Sequence, residues 1–209
     1  GHQPMTSLDG RVLLAFNGEI YNAFTFKDEL KKWGYVFKST TDTEIILALY
    51  IKYGLEGMLE RLNGMFAIVV VDLSKQEIII ARDRFGIKPM YYVNTGEVLA
   101  FSSELKSFRF IDNFKFSLAE DQIDEYVMFR NNLNGTLFKG VESLDPGHYL
   151  SFSHGKTTAK RRYFNIDGYS RSTKSSEGID FYHERLEQWL SKSVKDQLMS
   201  DVKLGCQLS

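Results

Sequence analysis

The chain runs from four apolar residues, Leu13 to Phe16, straight into Asn17-Gly18-Glu19. Asn and Gly both tolerate positive φ, so this pair after an apolar run is a strong hairpin signal. The competing reading is that a reactive group sits against the pair, and these two residues alone leave the choice open. Glu19 then reads as a solvated carboxylate after a turn. Asp42 opens an apolar-periodic stretch, where a helix dipole favours an acid with or without a ligand. Thr41 and Glu44 have the spacing of a capping box. Arg82, Asp83, Arg84 and Lys88 gather at a strand end. Phosphate binding and a mutually paired surface turn compete there, and the paired turn is the plainer chemistry. Ser102 and Ser103 have no histidine base nearby in sequence, which argues against a serine nucleophile. His2, His148, His154 and His183 lack both H-x-x-x-H spacing and cysteine partners, so no metal site is expected.

The elements that must position these residues follow from apolar periodicity. A strand is expected at Val12–Phe16, then a helix from about Ala23 to Trp33 with Phe26, Leu30 and Trp33 on one face and Gly34 as its cap. "STTDTEIILALYIKYG" opens a second helix with Ile46, Leu49 and Tyr53 on one side, and "LEGMLERLNG" continues as a short one. "MFAIVVVDL" and "EIIIAR", separated by Ser74-Lys75-Gln76, predict a hairpin. Such unbroken apolar runs predict strands covered on both faces. "KPMYYV" and "VLAFSSE" flank an Asn94-Thr95-Gly96 turn. A helix is expected over Ala119–Phe129, with strands near Gly147–Phe152 and Thr157–Tyr163. Residues 165–178, small and polar, read as a linker, and "IDFYHERLEQWLSKSVKDQLM" as a long amphipathic helix.

The composition narrows the function classes. Among 209 residues, 26 basic and 27 acidic side chains nearly cancel, so no charge excess favours nucleic acid or an anionic membrane. No apolar run approaches the roughly 20 residues of a membrane helix, and nothing resembles a signal peptide. The single Cys206 excludes an internal disulfide, and a cytoplasmic location is the default expectation. Phe and Tyr together supply 27 residues, read as core rather than as a platform for stacking bases.

"FNGEIYN", "STTDTEIIL", "RLNGMFAIVVVD", "ARDRFGIKPMYY" and "FSSELKS" occur in the order and spacing of the glutaminase domain of glutamine-hydrolysing asparagine synthetases. "LFKGVESLDPGHYLSF" resembles the closing segment of that domain, and "SVKDQLMSDVKLGCQLS" resembles the lead-in to the synthetase domain. The resemblance implies an α+β fold: an αββα sandwich of the N-terminal-nucleophile hydrolases, followed by the first helix of an ATP-pyrophosphatase-type domain. It implies a glutaminase domain over 1–164, a linker over 165–178 and the start of a synthetase domain over 179–209. It implies that glutamine is hydrolysed to glutamate and ammonia, which an internal tunnel delivers to aspartate activated by ATP and Mg²⁺, with a homodimer as one option. Asn17 and Gly18 would be the oxyanion hole, since a side-chain NH₂ and a backbone N–H are neutral donors with no proton to lose. Glu19 and Asp42 would hold the α-ammonium group of glutamine, and Leu208 and Ser209 would begin the ATP loop. The opening "GHQPMTSLDGR" resembles family sequence well downstream of the nucleophilic cysteine, so the resemblance places that cysteine and the arginine for the α-carboxylate upstream of Gly1. Cys206 lies too far along the chain to substitute, and the segment is expected to be inactive alone. Two rivals are a related amidotransferase acting on another acid and a catalytically dead fold kept as an interaction module.

Overall fold

The computed structural model describes residues 2–133, 135–169, 177–199, 203 and 205. They fall into two units, Gly1–Phe164 and Asn165–Ser209. In the first, β1 (Met5–Thr6) and β2 (Val12–Ile20) lead through a 3₁₀ turn (Ala23–Phe26) to α1 (Lys27–Lys32) and α2 (Asp42–Arg61). The chain then forms β3 (Gly64–Asp72), β4 (Glu77–Arg82), β5 (Tyr91–Asn94) and β6 (Leu99–Ser102). A 3₁₀ helix (Leu105–Phe110), α3 (Ile123–Phe129), β7 (Glu142–Ser143), β8 (His148–Ser153) and β9 (Lys156–Arg162) complete the unit. The second unit contains α4 (Ile179–Gln197), which carries Tyr182, Leu186, Trp189, Leu190 and Val194 at helical spacing.

Two antiparallel sheets stack face to face, one of order β1-β2-β3-β4-β8-β9 and one of order β6-β5-β7. The alternation of β3 shows why its sequence is apolar throughout. Phe66, Ile68 and Val70 pack with Leu30, Ile46 and Leu49 of the helices, while Ala67 and Val69 pack with Met90, Tyr92 and Phe152 between the sheets. Each face of the strand meets a different layer, so neither can be polar. On the far side of the small sheet, Val93 packs with Phe108 of the 3₁₀ helix and with Val141. The layers are therefore helix, sheet, sheet, and a 3₁₀ helix with loops; α3 buries no residue.

Several expected elements change in detail. The helix over Ala23–Trp33 splits into the 3₁₀ turn and α1, and Asn22 before it holds the exit of α2: its Nδ2 donates to Arg61 O at 2.8 Å, and its Oδ1 accepts from Asn63 N at 2.9 Å. Trp33 stays half-exposed, while Leu30 is buried. The two expected helices after Thr41 form one element that breaks at Gly54, whose φ of 71° and ψ of −174° are non-helical. The expected helix over Ala119–Phe129 begins as a 3₁₀ turn at Glu120–Gln122.

The turn at Arg82–Lys88 keeps Phe85 and Ile87 at the surface, but its acid is a buried anchor rather than one half of a paired surface charge. Asp83 is 1% exposed. Its carboxylate accepts four backbone N–H groups: Phe66 (3.2 Å), Phe85 (3.0 Å), Ile87 (3.0 Å) and Lys88 (2.9 Å). Arg82 donates to the carbonyls of Lys88, Leu144 and Gly86 rather than to an acid. The Asp83 carboxylate sits inside because the backbone leaving β4 has polar groups that no strand pairs. Asp83→Asn takes acceptor capacity from that cluster and faces an NH₂ against other donors. It lowers stability by about 2 kcal/mol, read as a drop in the urea midpoint at unchanged slope.

Candidate active site

Asn17-Gly18 forms no hairpin. Both residues lie inside β2, opposite Ala67 and Phe66 of β3. The strand continues because a full-length partner offers a ladder along its whole extent, which overrides the local turn preference of the pair. Tyr21 N donates to Asn63 O and Leu73 N to Arg11 O, both at 2.8 Å. In an antiparallel pair these bonds recur at every second residue. The odd-numbered residues of β2 therefore spend their N–H and C=O on β3, and the even-numbered ones face the opposite edge.

Along that edge the N–H groups of Phe16, Gly18 and Ile20 form a row. Phe16 N donates to Gln3 Oε1 at 2.6 Å and Ile20 N to Asp42 Oδ2 at 3.2 Å. Gly18 N–H lies between them. A side chain at 18 has no room: its Cβ would fall 2.0 Å from Met65 O, and φ is +155°. Only glycine keeps the strand this close to β3 with the backbone of residue 18 at the edge.

The Asn17 side chain leaves the strand on the inter-sheet face. Its Nδ2 donates to Ser103 Oγ at 3.0 Å, just past the end of β6. The two residues border a hollow of about 250 Å³ between the sheets, with Gln3 also on its lining and Ala67, Met90 and Phe101 among its apolar walls. Glu19 shares a strand face with Asn17 by the period-two rule. Burial, followed by the negative charges of Glu19 and Asp83, pushes the Tyr21 phenol above its usual range, so it stays a neutral hydroxyl. Asp42 stands at the N-terminal end of α2 and meets β2 from the edge side. The structure thus brings Asn17, Gly18, Glu19 and Asp42 to one end of one strand. Neither acid lines the inter-sheet hollow.

Residues 1–164 match the family described as a glutamine amidotransferase domain. The chain belongs to that family. All of the amidotransferase chain aligns with asparagine synthetase 2 (glutamine-hydrolysing) of Bacillus subtilis (strain 168), at 33% identity over 29% of that protein. It aligns equally fully with the amidase chyE of Penicillium rubens, at 32% identity over 30% of that protein. The chain spans about a third or less of the length of these relatives. Among solved structures, the glutamine phosphoribosylpyrophosphate amidotransferase of B. subtilis, complexed with ADP and GMP, superimposes with a TM-score of 0.55. That match covers 78% of this chain and 32% of the other at 22% identity, which shows a shared fold. The sandwich of the amidotransferase domain is the N-terminal-nucleophile hydrolase architecture expected from the motifs.

The capping box does not form. Glu44 is buried and turns away from Thr41, accepting Lys38 N at 2.8 Å and both Ser39 N and Ser39 Oγ at 2.6 Å. It ties the loop before α2 to the helix because that loop folds back over the first turn, a fold-back that the Thr41–Glu44 spacing does not show. Ser103, weighed in the sequence only as a nucleophile, instead meets Asn17, a contact that their separation of 86 positions hides. Leu208, Ser209 and Cys206 lie outside the described residues, as do 170–176 of the linker. Among the described residues no group of three or more His, Cys, Asp or Glu is placed to hold a metal ion. Nor is any helix there long and apolar enough to cross a membrane.

Proposed function

We propose that this chain is the glutaminase portion of a larger asparagine-synthetase-like enzyme, hydrolysing glutamine to glutamate and ammonia for ATP-dependent amidation of aspartate. One observation carries the reading: in the edge row of N–H groups, Gln3 and Asp42 hold the outer two, and between them lies that of Gly18, the residue after Asn17, whose carboxamide is held by Ser103. That arrangement offers two neutral donors, one from backbone and one from side chain, at a place where a substrate carbonyl can approach the strand edge.

The chemistry assigned to these residues is stabilisation of charge. In the family, a cysteine thiolate attacks the carboxamide carbon, and negative charge passes to the carbonyl oxygen. Donors fixed before the reaction stabilise that oxygen without reorganising, which is where such sites gain most of their rate. Glu19 and Asp42 supply negative charge for the α-ammonium group at the other end of the substrate. ATP and Mg²⁺ would be held by residues outside those described, and no step here runs through them.

Asp42→Asn tests the binding half. It keeps one oxygen for Ile20 N but removes the charge, so KM for glutamine rises about tenfold while kcat changes little, as expected for an interaction made equally in ground and transition states. The decisive experiment assays the full-length protein for glutaminase activity and for amide synthesis from glutamine or free ammonia. The similarity to amidases as well as to asparagine synthetases makes the acceptor a separate question. Product analysis with aspartate against other carboxylic acids answers it. Absence of any glutamine hydrolysis by the complete protein supports the interaction-module reading and overturns this one.

A further inference from the structure

We infer that Ser103 is a positioning residue for catalysis, a hydroxyl that fixes the Asn17 carboxamide so that its remaining N–H meets the developing oxyanion; this deepens the reading above and rests on it. A carboxamide on an exposed strand position rotates freely about its terminal torsion, and a donor that points elsewhere half the time stabilises less charge. The amide carries two N–H groups. Ser103 Oγ accepts one of them at 3.0 Å, which selects the orientation of the amide and leaves the second N–H free to be aimed.

Ser103 is itself held in place. β6 ends at Ser102, whose Oγ accepts Glu104 N at 3.0 Å and donates to Ser107 Oγ at 3.1 Å. The turn around Ser103 is thereby closed on both sides. Behind it, Phe101 packs into the inter-sheet cluster with Met90 and Tyr92, anchoring the end of β6 over β2 and β3. The small sheet therefore does more than cover the large one; it delivers a hydroxyl to a side chain on the opposite sheet. Ser103 takes no part as nucleophile.

The test uses the full-length protein with steady-state glutaminase kinetics on four variants: Ser103→Ala, Ser103→Thr, Asn17→Ala and the Ser103→Ala/Asn17→Ala double variant. Loss of one orienting hydrogen bond lowers kcat about fivefold with KM for glutamine unchanged, and Ser103→Thr, which retains the hydroxyl, restores most of it. In the Asn17→Ala background, Ser103→Ala has no further effect, because the group it positions is gone. A kcat unchanged by Ser103→Ala, or a loss that persists equally without Asn17, overturns the positioning role and leaves the oxyanion reading standing. Full activity in Asn17→Ala itself overturns the oxyanion reading and the role of Ser103 with it. A general structural defect would move KM and the thermal midpoint together and would not be rescued by threonine.

Discussion

In the full-length protein, Asn17→Ala is expected to lower glutamine-dependent turnover by about 10² to 10³. The loss falls on kcat, because the donor acts on charge that exists only as the transition state forms. Synthesis from free ammonia, which bypasses amide hydrolysis, stays close to that of the unaltered protein, as does the denaturation midpoint: Asn17 is exposed and its partner Ser103 can turn to water. Asn17→Asp separates donor loss from shape. It preserves size and still reaches Ser103, but it places a carboxylate where an oxyanion develops, so its activity falls below that of the alanine variant. The measurement is a paired assay of glutamate and amide product with each nitrogen source. Equal loss of glutamine- and ammonia-dependent synthesis would show that Asn17 supports the structure rather than the hydrolysis.

The three backbone donors of the β2 edge explain why the proposed site is built from a strand rather than from the expected turn. A type I′ turn at Asn17-Gly18 would aim its groups at solvent and leave their spacing to a flexible loop. Inside a ladder, β3 fixes the odd-numbered groups and so sets the direction of every even-numbered N–H. Asp42 adds a link between this edge and α2. Movement of the helix N-terminus is thus felt at Ile20, two residues from Gly18. The proposed function depends on a register, and the register depends on a hydrophobic pattern: a one-residue slip would send Phe66 and Ile68 into the inter-sheet layer.

The sequence already contains most of the frame. Apolar runs at 65–73 and 77–82 announce strands covered on both faces, and β3 and β4 are such strands. What it hides are the places where a partner distant in sequence decides. Asn-Gly is locally a turn, and only the nine-residue pairing with β3 makes it strand. Thr41 and Glu44 are spaced for a cap, yet the loop at Lys38–Ser39 offers Glu44 more donors. Asp83 carries a charge that suggests solvent; the unpaired backbone groups around it, which sequence does not display, draw it inward. Ser103 shows the limit plainly. A lone serine without a base reads as inert, and its significance comes wholly from the packing of one sheet on another.

Gly18→Ala is expected to be the most damaging single-methyl substitution in the site. The added Cβ would lie 2.0 Å from Met65 O, 2.8 Å from Phe66 Cα and 2.9 Å from Met65 C. All three are backbone atoms of β3, so no side chain can swing away, and relief requires the strands to separate. The φ of +155° adds strain for any L-residue. Together, overpacking and strain lower stability by about 3 kcal/mol. Separation of β2 from β3 also rotates the N–H of residue 18 away from the position set by Phe16 and Ile20, so glutamine hydrolysis falls by at least about 10² even in the fraction that remains folded. Activity normalised to the folded fraction, measured by circular dichroism below the new midpoint, distinguishes the two effects. Recovery of full specific activity after that normalisation would mean that the edge of β2 is only a scaffold, and that the carbonyl of the substrate is met elsewhere.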